Sequence, residues 1–239
     1  MDNALYYLAL NRQRGLSAEM TTIANNIANA GTAGYQREGV LFQEFVVATE
    51  DGESISMGDL NARFADDLPG PIETTGAAFD FAIEGEGYFM IDDGEEVILT
   101  RAGGFQRSPA GLLVTPDGLP VLDAGQAPIF LPADAGQIQV ASDGTISADG
   151  QPLGQIGVVT APEETLERLG RIAFRPNDGI DPVANPRVRQ GAIEASNVNT
   201  VEEVARMIEV TRAYETVQSI IEDEDARIRE TIETLGRSV

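Results

Sequence analysis

Long helical patterns of apolar residues stand at both ends of this chain, and they constrain its fold more than any other feature of the sequence. Near the N-terminus, apolar side chains recur at steps of three and four, which is the spacing of one helix face. They are Leu5, Ala9, Leu16, Met20, Ile23 and Ile27. The pattern predicts a helix from Asp2 to about Ala30 that ends at the glycines Gly31 and Gly34.

The C-terminal pattern keeps the same spacing over a longer stretch. Its members are Val201, Val204, Ile208, Thr211, Tyr214, Val217, Ile221, Ile228, Ile232 and Leu235. Asn199 with Glu202, or Thr200 with Glu203, matches a capping box, which marks the first turn of a helix. Glu202 and Arg206 stand four residues apart, a spacing that favours an ion pair along one helix face.

Neither predicted helix can bury its own apolar stripe. At about 1.5 Å per residue, the C-terminal helix is on the order of 54 Å long and the N-terminal helix nearer 42 Å. Because helices in proteins draw most of their stability from packing, the two termini are expected to form an antiparallel, coiled-coil-like pair. That pair leaves a second flank and about 12 Å of the longer helix uncovered. We expect neighbouring subunits to cover this surface and the termini to order on assembly.

Between the helices the pattern changes to short β-branched and aromatic runs separated by turns. Asp-Gly pairs, which supply the left-handed backbone of hairpin turns, punctuate these runs. They are Asp93-Gly94, Asp117-Gly118, Asp143-Gly144 and Asp149-Gly150. One short helix is predicted from Glu163 to Leu169, after Pro162 and before Gly170.

The sequence therefore predicts an α+β fold, with antiparallel terminal helices and a central all-β domain. The stretch from Ala48 to Pro71 is acidic, contains glycine and has little periodicity, so it is interpreted as a connector. The expected boundaries are 1–45 for the N-terminal helix and the following turn, 46–74 for the connector, 75–195 for the β-rich domain with one short helix, and 196–239 for the C-terminal helix.

The composition excludes most kinds of enzyme chemistry. The chain has no His and no Cys, and all 16 of its basic residues are Arg. Catalysis by Ser-His-Asp or Cys-His groups, thiolate or imidazole zinc sites, and Schiff-base lysines are therefore excluded. Carboxylate catalysis and oxygen-ligated metals stay open, but we expect no catalytic residue, no cofactor and no metal.

The charge and hydropathy of the chain also limit its partners. With 39 acidic residues and a net charge of −23, a nucleic-acid partner is disfavoured, because phosphate binding needs a positive surface. No uncharged apolar run approaches the roughly 20 residues of a membrane span, so no membrane insertion is expected. The N-terminus has neither the basic segment nor the cleavage site of a signal peptide.

Three sequence blocks resemble the flagellar rod, hook and hook-associated axial proteins, and they occur in the order of that family. The first block is Ala24 to Ala30 with Thr32, Gly34-Tyr35 and Arg37. The second comprises Gly70-Pro71-Ile72, Thr75-Gly76, Ala82-Ile83, Gly85, Gly87-Tyr88-Phe89, Thr100-Arg101, Gly104-Phe105, Gly111 and Leu113-Val114-Thr115. The third comprises Gly191 to Glu194, Ser196 to Asn199, Met207-Ile208 and Arg212 to Glu215. Within the family, the opening Met1 to Ala4 and the acidic Glu222 to Asp225 are most similar to proximal-rod members, with distal-rod and other hook-type members as the alternative.

The resemblance implies a subunit of the flagellar rod, the shaft that crosses the periplasm. It implies that the terminal helices form the inner tube wall, that the β domain faces outward, and that torque passes through subunit contacts. Its implied partners are its own copies, neighbours of the FlgC and FlgG types, and the flagellar type III export apparatus, with export that needs no cleaved signal peptide.

Candidate subunit-contact residues lie on both helices and in the turn after the first. They are Ile23, Asn25, Asn26, Ile27, Asn29, Tyr35, Val204, Met207, Ile208, Arg212, Tyr214, Val217 and Ile221. For the three asparagines two interpretations stay open: bonds to the backbone at a helix end, or polar groups that fix the register between subunits. Arg212 and Tyr214 can equally pack within the chain.

Three other interpretations compete with assembly. Glu84 and Glu86 are the candidate carboxylates of an acidic periplasmic hydrolase, and a monomeric binding module is a further class. Asp143, Ser147 and Asp149 offer oxygens for calcium, but their spacing does not match an EF-hand, and hairpin turns explain them better.

Overall fold

The chain forms two compact units in the computed structural model. The structure describes residues 2–48, 54–66, 68–132 and 134–237. The helical unit comprises Met1–Ala28, Arg37–Asp66 and Asn199–Val239, and the β unit comprises Asn29–Gln36 and Asp67–Val198. The α+β class, with terminal helices and a β-rich centre, is confirmed.

The helical unit is built on α1, Asp2–Ala28, and α2, Thr200–Arg237. Asn199 begins α2: its side-chain oxygen accepts the N–H groups of Val201 at 3.1 Å and Glu202 at 3.4 Å, which satisfies donors that a first turn leaves unpaired. The N-cap is therefore Asn199 rather than Thr200. Among the described residues, neither helix has the combination of length and hydropathy that a membrane crossing requires.

A two-stranded hairpin completes the helical unit. Strand β1, Glu38–Ala48, pairs antiparallel with β2, Ser54–Ala65, and the register shifts at a bulge between Leu41 and Phe42. The sequence predicts an irregular connector over residues 46–74. This prediction is wrong for residues 46–48, which belong to β1, and for residues 54–65, which form β2. Residues 49–53 and 67 of that predicted connector lie outside the described residues. Hairpin pairing supplies the backbone hydrogen bonds of β2, and a local periodicity test does not detect such pairing.

Within the part of the β unit that the structure describes, fifteen short strands pair antiparallel. They are β3 Ile72–Thr74, β4 Phe81–Ile83, β5 Tyr88–Asp92, β6 Val97–Thr100, β7 Gln106–Arg107, β8 Leu113–Val114, β9 Ile138–Val140, β10 Thr145–Ala148, β11 Gln151–Gln155, β12 Val158–Thr160, β13 Leu166–Leu169, β14 Ala173–Pro176, β15 Asp181–Pro182, β16 Val188–Gln190 and β17 Ala192–Glu194. A six-stranded sheet has the order β13-β14-β6-β5-β12-β15, and a three-stranded sheet has the order β11-β10-β9. The remaining strands form the pairs β16-β4, β17-β3 and β7-β8.

The Asp-Gly pairs form the turns that the sequence predicts. Asp149 and Gly150 have φ angles of 50° and 79° between β10 and β11, as a two-residue hairpin turn of the mirror-image type requires. Gly94 has a φ of 93° between β5 and β6. The Asp93 carboxylate accepts the N–H groups of Glu95 and Glu96, and this bonding lowers its pKa, the bond from Glu96 most.

The predicted helix at Glu163 to Leu169 is wrong for most of its length. Only Glu163–Thr165 is helical, as a single 3-10 turn, and Leu166–Leu169 is strand β13 paired with β14. Gly170, with a φ of 65°, turns the chain between these strands instead of ending a helix. Pairing with β14 thus outweighs the local helical signal.

The core of the β unit is aromatic and aliphatic. Its fully buried members include Phe81, Phe89, Ile91, Leu113, Val121, Leu131, Ile146 and Ile156. The rings of Phe89 and Phe105 meet edge to face at 5.3 Å between centroids, a favourable geometry for aromatic pairs.

Candidate assembly surface

The inner face of the helix pair has a continuous apolar core. Leu16, Ile23 and Val210 are buried at its centre. Around them pack Met20, Ile27, Met207, Ala213, Tyr214 and Val217. Of the predicted contact residues, Ile23, Ile27, Met207, Tyr214 and Val217 therefore hold α1 against α2 within one chain.

Polar contacts fix the antiparallel arrangement of the two helices. Gln13 donates to the Tyr214 hydroxyl at 3.1 Å, whereas further along α1 Glu19 pairs with Arg206 at 2.8 Å. The spacing of four predicts an ion pair between Arg206 and Glu202, but Arg206 pairs across the helices with Glu19 instead. Because the Glu19 carboxylate is half-buried, this contact places the Arg206 guanidinium beside the helix interface.

Asn26 is fully buried in the helical unit, and three of its side-chain bonds link parts of that unit. Its side-chain amide donates to the backbone carbonyl of Glu38 at 2.9 Å and to the Glu203 carboxylate at 3.1 Å, and its oxygen accepts the N–H of Glu38 at 2.9 Å. Arg37 donates to the same Glu203 carboxylate at 2.6 Å. The Asn26 side chain therefore joins α1, the start of β1 and the first turn of α2. The two bonds to the backbone of Glu38 are made near the end of α1, as the first interpretation for the asparagines expects, whereas the bond to Glu203 links α1 to α2 within the chain. A role in the register between subunits stays a prediction.

The two other asparagines occupy different environments. Asn29 is buried in the β unit, where its backbone carbonyl accepts the N–H of Thr32 at 2.9 Å in the turn after α1. Its side-chain oxygen accepts the Thr32 hydroxyl at 3.3 Å in the same turn. Asn25 is exposed on α1. Of the three, Asn25 is the one at an exposed position.

Tyr35 belongs to the interior of the β unit. Its ring is 2% exposed and lies beneath the Arg168 guanidinium, 5.1 Å from centroid to Cζ. Arg168 also lies 4.9 Å above the Phe174 ring and donates to the Gln36 carbonyl at 2.6 Å. These contacts anchor the segment 29–36 to the sheet.

The outer face of α2 presents a second apolar row. Val201, Val204 and Ile208 are 79%, 44% and 49% exposed. At about 100° per residue they fall within an arc of roughly 60°, on the side of the helix opposite Val210. The sequence treated them as part of one stripe with Tyr214 and Ile221, but the structure divides that stripe between two faces. Exposed Arg212 lies beside the outer row, and Ile221 is buried on the inner face.

A buried ion pair joins the three motif blocks inside the β unit. Arg101 Nη1 lies 3.3 Å from Glu194 Oε2, and the Glu194 side chain also accepts the N–H of Gly70 at 3.0 Å. The Glu194 backbone carbonyl accepts the N–H of Gly34 at 2.8 Å. Gly34, Gly70, Arg101 and Glu194 come from four separate segments, and sequence reasoning did not connect them.

The electrostatics of this pair are set by burial. Burial raises the pKa of the Glu194 carboxyl above its ordinary value, although Arg101 and the Gly70 N–H pull it the other way. The 3.3 Å contact is an ion pair without hydrogen-bond geometry, since neither Arg101 Nη1 nor Glu194 Oε2 has a hydrogen-bond partner. A pair held this way is sensitive to the loss of either member.

The alternative sites carry ordinary structural contacts. Glu84, the candidate catalytic carboxylate, forms an ion pair with Arg189. The carboxylate of Asp149 accepts the N–H of Gly136 at 3.0 Å, and that of Asp143 accepts the N–H of Thr145 at 2.9 Å. These oxygens are used in turns, which supports the hairpin interpretation over the calcium one.

Comparison with protein families and with known proteins agrees with this architecture. Residues 7–36 match the family described as flagella basal body rod protein, residues 82–148 match the flagellar hook protein FlgE/F/G D1 domain, and residues 189–234 match the flagellar basal body rod FlgEFG protein C-terminal region. The three matched regions contain most of α1, much of the β unit and most of α2, and they overlap all three blocks of the resemblance noted in the sequence.

Relatives match nearly the whole chain. The flagellar basal-body rod protein FlgF of Rhizobium meliloti (strain 1021) is 36% identical over 236 residues, which cover 97% of this chain and 98% of that one. FlgF of Caulobacter vibrioides is 36% identical over 244 residues, covering 99% of each chain. The flagellar basal-body rod protein FlgG of Bacillus subtilis (strain 168) is 32% identical over 255 residues, covering 95% of this chain and 97% of that one.

Terminal helices packed on each other, with a β unit between them in the sequence, are the architecture that these matched regions share. The chain belongs to the flagellar basal-body rod protein family, and it is a structural subunit of the rod in the flagellar basal body. The resemblance inferred from the sequence is confirmed. Identity of 36% to these FlgF proteins against 32% to this FlgG protein favours the FlgF type.

Proposed function

We propose that the chain polymerises through its terminal helices at the FlgF position of the rod and transmits torque through contacts between subunits. The observation that carries the proposal is the outer row of α2, Val201, Val204 and Ile208, which lies on the face turned away from α1. Complete burial of such a side chain contributes about 1.5–3 kcal/mol, so covering the exposed parts of these three contributes on the order of 3–5 kcal/mol per subunit contact. In a free monomer these side chains stay exposed, so this stabilisation is gained only when a neighbour covers them.

The neighbours follow from the same surface. Own copies and other rod proteins of the FlgC and FlgG types bring terminal helices of similar pattern, and an apolar row on one such helix covers the row on another. Asn25, Val204, Ile208 and Arg212 are the predicted contact residues that the structure leaves exposed for this role. The buried candidates Ile23, Asn26, Asn29, Tyr35 and Ile221 stabilise the chain that presents the row.

The location and export of the chain are part of the proposal. We place it in the periplasmic segment of the rod, reached through the flagellar type III apparatus, and its membership of the rod protein family supports this placement. The net charge of −23 supports protein partners over nucleic acid.

We further propose that the chain carries out no bond chemistry. The ion pair of Glu84 with Arg189 supports this, because it gives the candidate carboxylate a structural partner within the chain. A Glu84→Gln variant therefore keeps motility when it replaces the natural chain. Loss of a cell-wall-degrading activity in that variant, with rods still assembled, would instead favour the hydrolase alternative.

The direct test is an Ile208→Asp variant expressed in place of the natural chain. It puts a charge on the outer row without touching the helix core, so we expect loss of motility and of rods, with a β unit that still folds. Leu153→Asp is the matched control, because Leu153 is an exposed apolar residue of the β unit at 38% exposure. Normal motility in the Ile208→Asp strain would contradict the proposal.

A further inference from the structure

An aromatic ring is held on the surface of the β unit. Phe130 is 56% exposed. Its ring lies over Gly111, where a side-chain carbon added to the glycine would approach the ring to 2.8 Å. Backbone pairing fixes the chain on both sides, since Phe130 bridges to Leu112 and the N–H of Leu131 donates to the Gly111 carbonyl at 2.6 Å. The ring is therefore preorganised for contact, as aromatic anchors at interfaces are.

A cavity that fits such a ring lies in the same unit. Its volume is about 210 Å³, and its lining includes Met90, Ile156, Val158, Ile180, Pro182 and Val183. Every residue that lines it is uncharged. A cavity of roughly 150 Å³ with apolar walls is enough to hold a benzene molecule, so this one accepts a phenylalanine side chain.

Phe130 does not fill the cavity of its own chain. Phe130 lies on a hairpin-like loop that also contributes Ala124 and Gln126 to the cavity lining. In this loop the N–H of Asp123 donates to the Ala127 carbonyl, and the N–H of Ile129 donates to the Val121 carbonyl at 3.0 Å. Gln126, at the turn, lines the cavity, whereas Phe130 lies four residues further on, roughly 13 Å along an extended chain. The ring and the cavity therefore occupy different parts of the surface.

We propose that Phe130 of one copy inserts into this cavity on a second copy of the chain. The proposal rests on the proposed function as a polymerising subunit and names a contact made by the β unit. Charge favours a second copy at this place: the chain carries a net charge of −23, yet the stretch 124–132 has no charged residue and the cavity walls have none either. Two copies thus approach here without the like-charge repulsion that opposes contact over most of their surface.

The proposed contact is heterologous, because a ring on one copy meets a different surface on the next. A heterologous contact can repeat from one copy to the next, so it generates rings or helical arrays, and a shaft of repeated subunits requires such an array. An isologous pair of β units would instead stop at a dimer.

The chain is suited to a cross-linking test because its sequence has no cysteine. A chain with both Phe130→Cys and Ala184→Cys replaces the natural one in cells, and purified basal bodies are treated with a short bis-maleimide. Ala184 is exposed and lines the cavity. We expect cross-linked species larger than a dimer, because each copy then carries both halves of a heterologous contact.

Single-cysteine chains are the first controls. Each one alone is expected to give no cross-link, and the two single-cysteine chains expressed together are expected to give dimers and nothing larger. The pair Asp117→Cys with Ala184→Cys is the matched control for exposure, since Asp117 lies on an exposed turn that does not line the cavity.

Two further variants test the contact without cross-linking. Phe130→Asp removes the ring, and Ala124→Trp places a bulky side chain at the exposed edge of the cavity. Each is expected to lower the amount of this chain recovered in basal bodies by about tenfold or more, the effect of losing an interface anchor.

Failure of this contact is distinguishable from failure of the proposed function. If the chain is present in basal bodies while the Phe130 and Ala184 cysteines give no cross-link and both variants are recovered normally, the contact is overturned and the rod assignment stands. A cross-link from Phe130→Cys to another rod protein, with none between copies, also overturns it, since the partner is then not a second copy. Absence of the unmodified chain from basal bodies overturns both proposals.

Discussion

The guanidinium of Arg101 and the carboxylate of Glu194 meet at 3.3 Å in the interior of the β unit, where their side chains are only 4% and 3% exposed. The two residues come from different motif blocks, the Thr100-Arg101 block and the Gly191 to Glu194 block. Glu194 also binds the backbone of Gly34 and Gly70. The ion pair and the two bonds of Glu194 therefore hold together four segments that are far apart in the sequence.

Removing one member of this pair is expected to destabilise the β unit strongly. Glu194→Ala leaves the buried Arg101 charge without its partner, and we predict a loss of about 3–5 kcal/mol in the free energy of unfolding. Urea unfolding followed by the near-ultraviolet circular dichroism of the tyrosine and phenylalanine rings measures it. The control is Glu73→Ala, an exposed glutamate on the neighbouring strand β3, for which we expect a change within about 0.5 kcal/mol. Equal effects of the two substitutions would contradict a role for the ion pair.

The same carboxyl group predicts a pH dependence. Burial raises the folded-state pKa of Glu194 above its ordinary value of 4.5. In the pH window between these two values the folded chain holds a proton that the unfolded chain has released. The part of the stability that is linked to this proton is therefore fully present below 4.5 and is lost as pH rises through the folded pKa.

Glu194→Gln removes this titration and nearly preserves the shape of the side chain. We predict that the natural chain loses stability relative to Glu194→Gln as pH rises through that window. Urea unfolding at a series of pH values gives the difference directly. A constant difference across the series would show that the Glu194 pKa is not raised.

Asn26 and Asn25 form a natural matched pair of adjacent asparagines. Asn26→Ala removes three hydrogen bonds and leaves the backbone of Glu38 without its side-chain partner, so we predict a loss of about 2–4 kcal/mol in the helical unit. Asn25→Ala changes an exposed position and should alter stability by about 0.5 kcal/mol or less. Amide exchange of α1 and α2 in the two variants measures both effects. If the helices of Asn26→Ala are as protected as those of Asn25→Ala, the internal role of Asn26 is contradicted.

Gly34 and Gly31 make a second matched pair, in the turn after α1. Gly34 has a φ of 68°, and a side-chain carbon there would collide with the backbone of Ala102. We therefore predict that Gly34→Ala costs more than about 2 kcal/mol, since both the conformation and the space are unsuitable. An added carbon at Gly31 meets nothing within 4 Å, so Gly31→Ala should be neutral or slightly stabilising. Thermal unfolding of both variants checks the contrast, and a Gly34→Ala chain as stable as Gly31→Ala would refute it.

Features set by local sequence were predictable. The helices α1 and α2 follow from apolar spacing, and the Asp-Gly turns follow from backbone conformation, because in both cases residues near one another in the chain decide the outcome. Strand β13 was mistaken for a helix because Pro162 and Gly170 give the same local signals at the ends of either element. Its true state depends on β14, across the turn.

The candidate site was less predictable because burial is a property of the whole fold. Apolar spacing placed Ile208 on the predicted stripe and did not include Val210, and only the position of α1 shows that Val210 is buried and Ile208 exposed. The role of Asn26 depends on Glu38 and Glu203, and no short-range pattern relates these residues. Likewise, nothing in either motif block indicates that Arg101 and Glu194 touch.

The most direct measurement is an electron-microscopy map of the basal body in which α2 of this chain is traced with its side chains. We predict that Val201, Val204 and Ile208 contact a helix of a neighbouring subunit, whereas Val210 and Tyr214 remain packed on α1 of the same chain. A map in which the outer row faces solvent in the assembled rod would contradict its role in assembly.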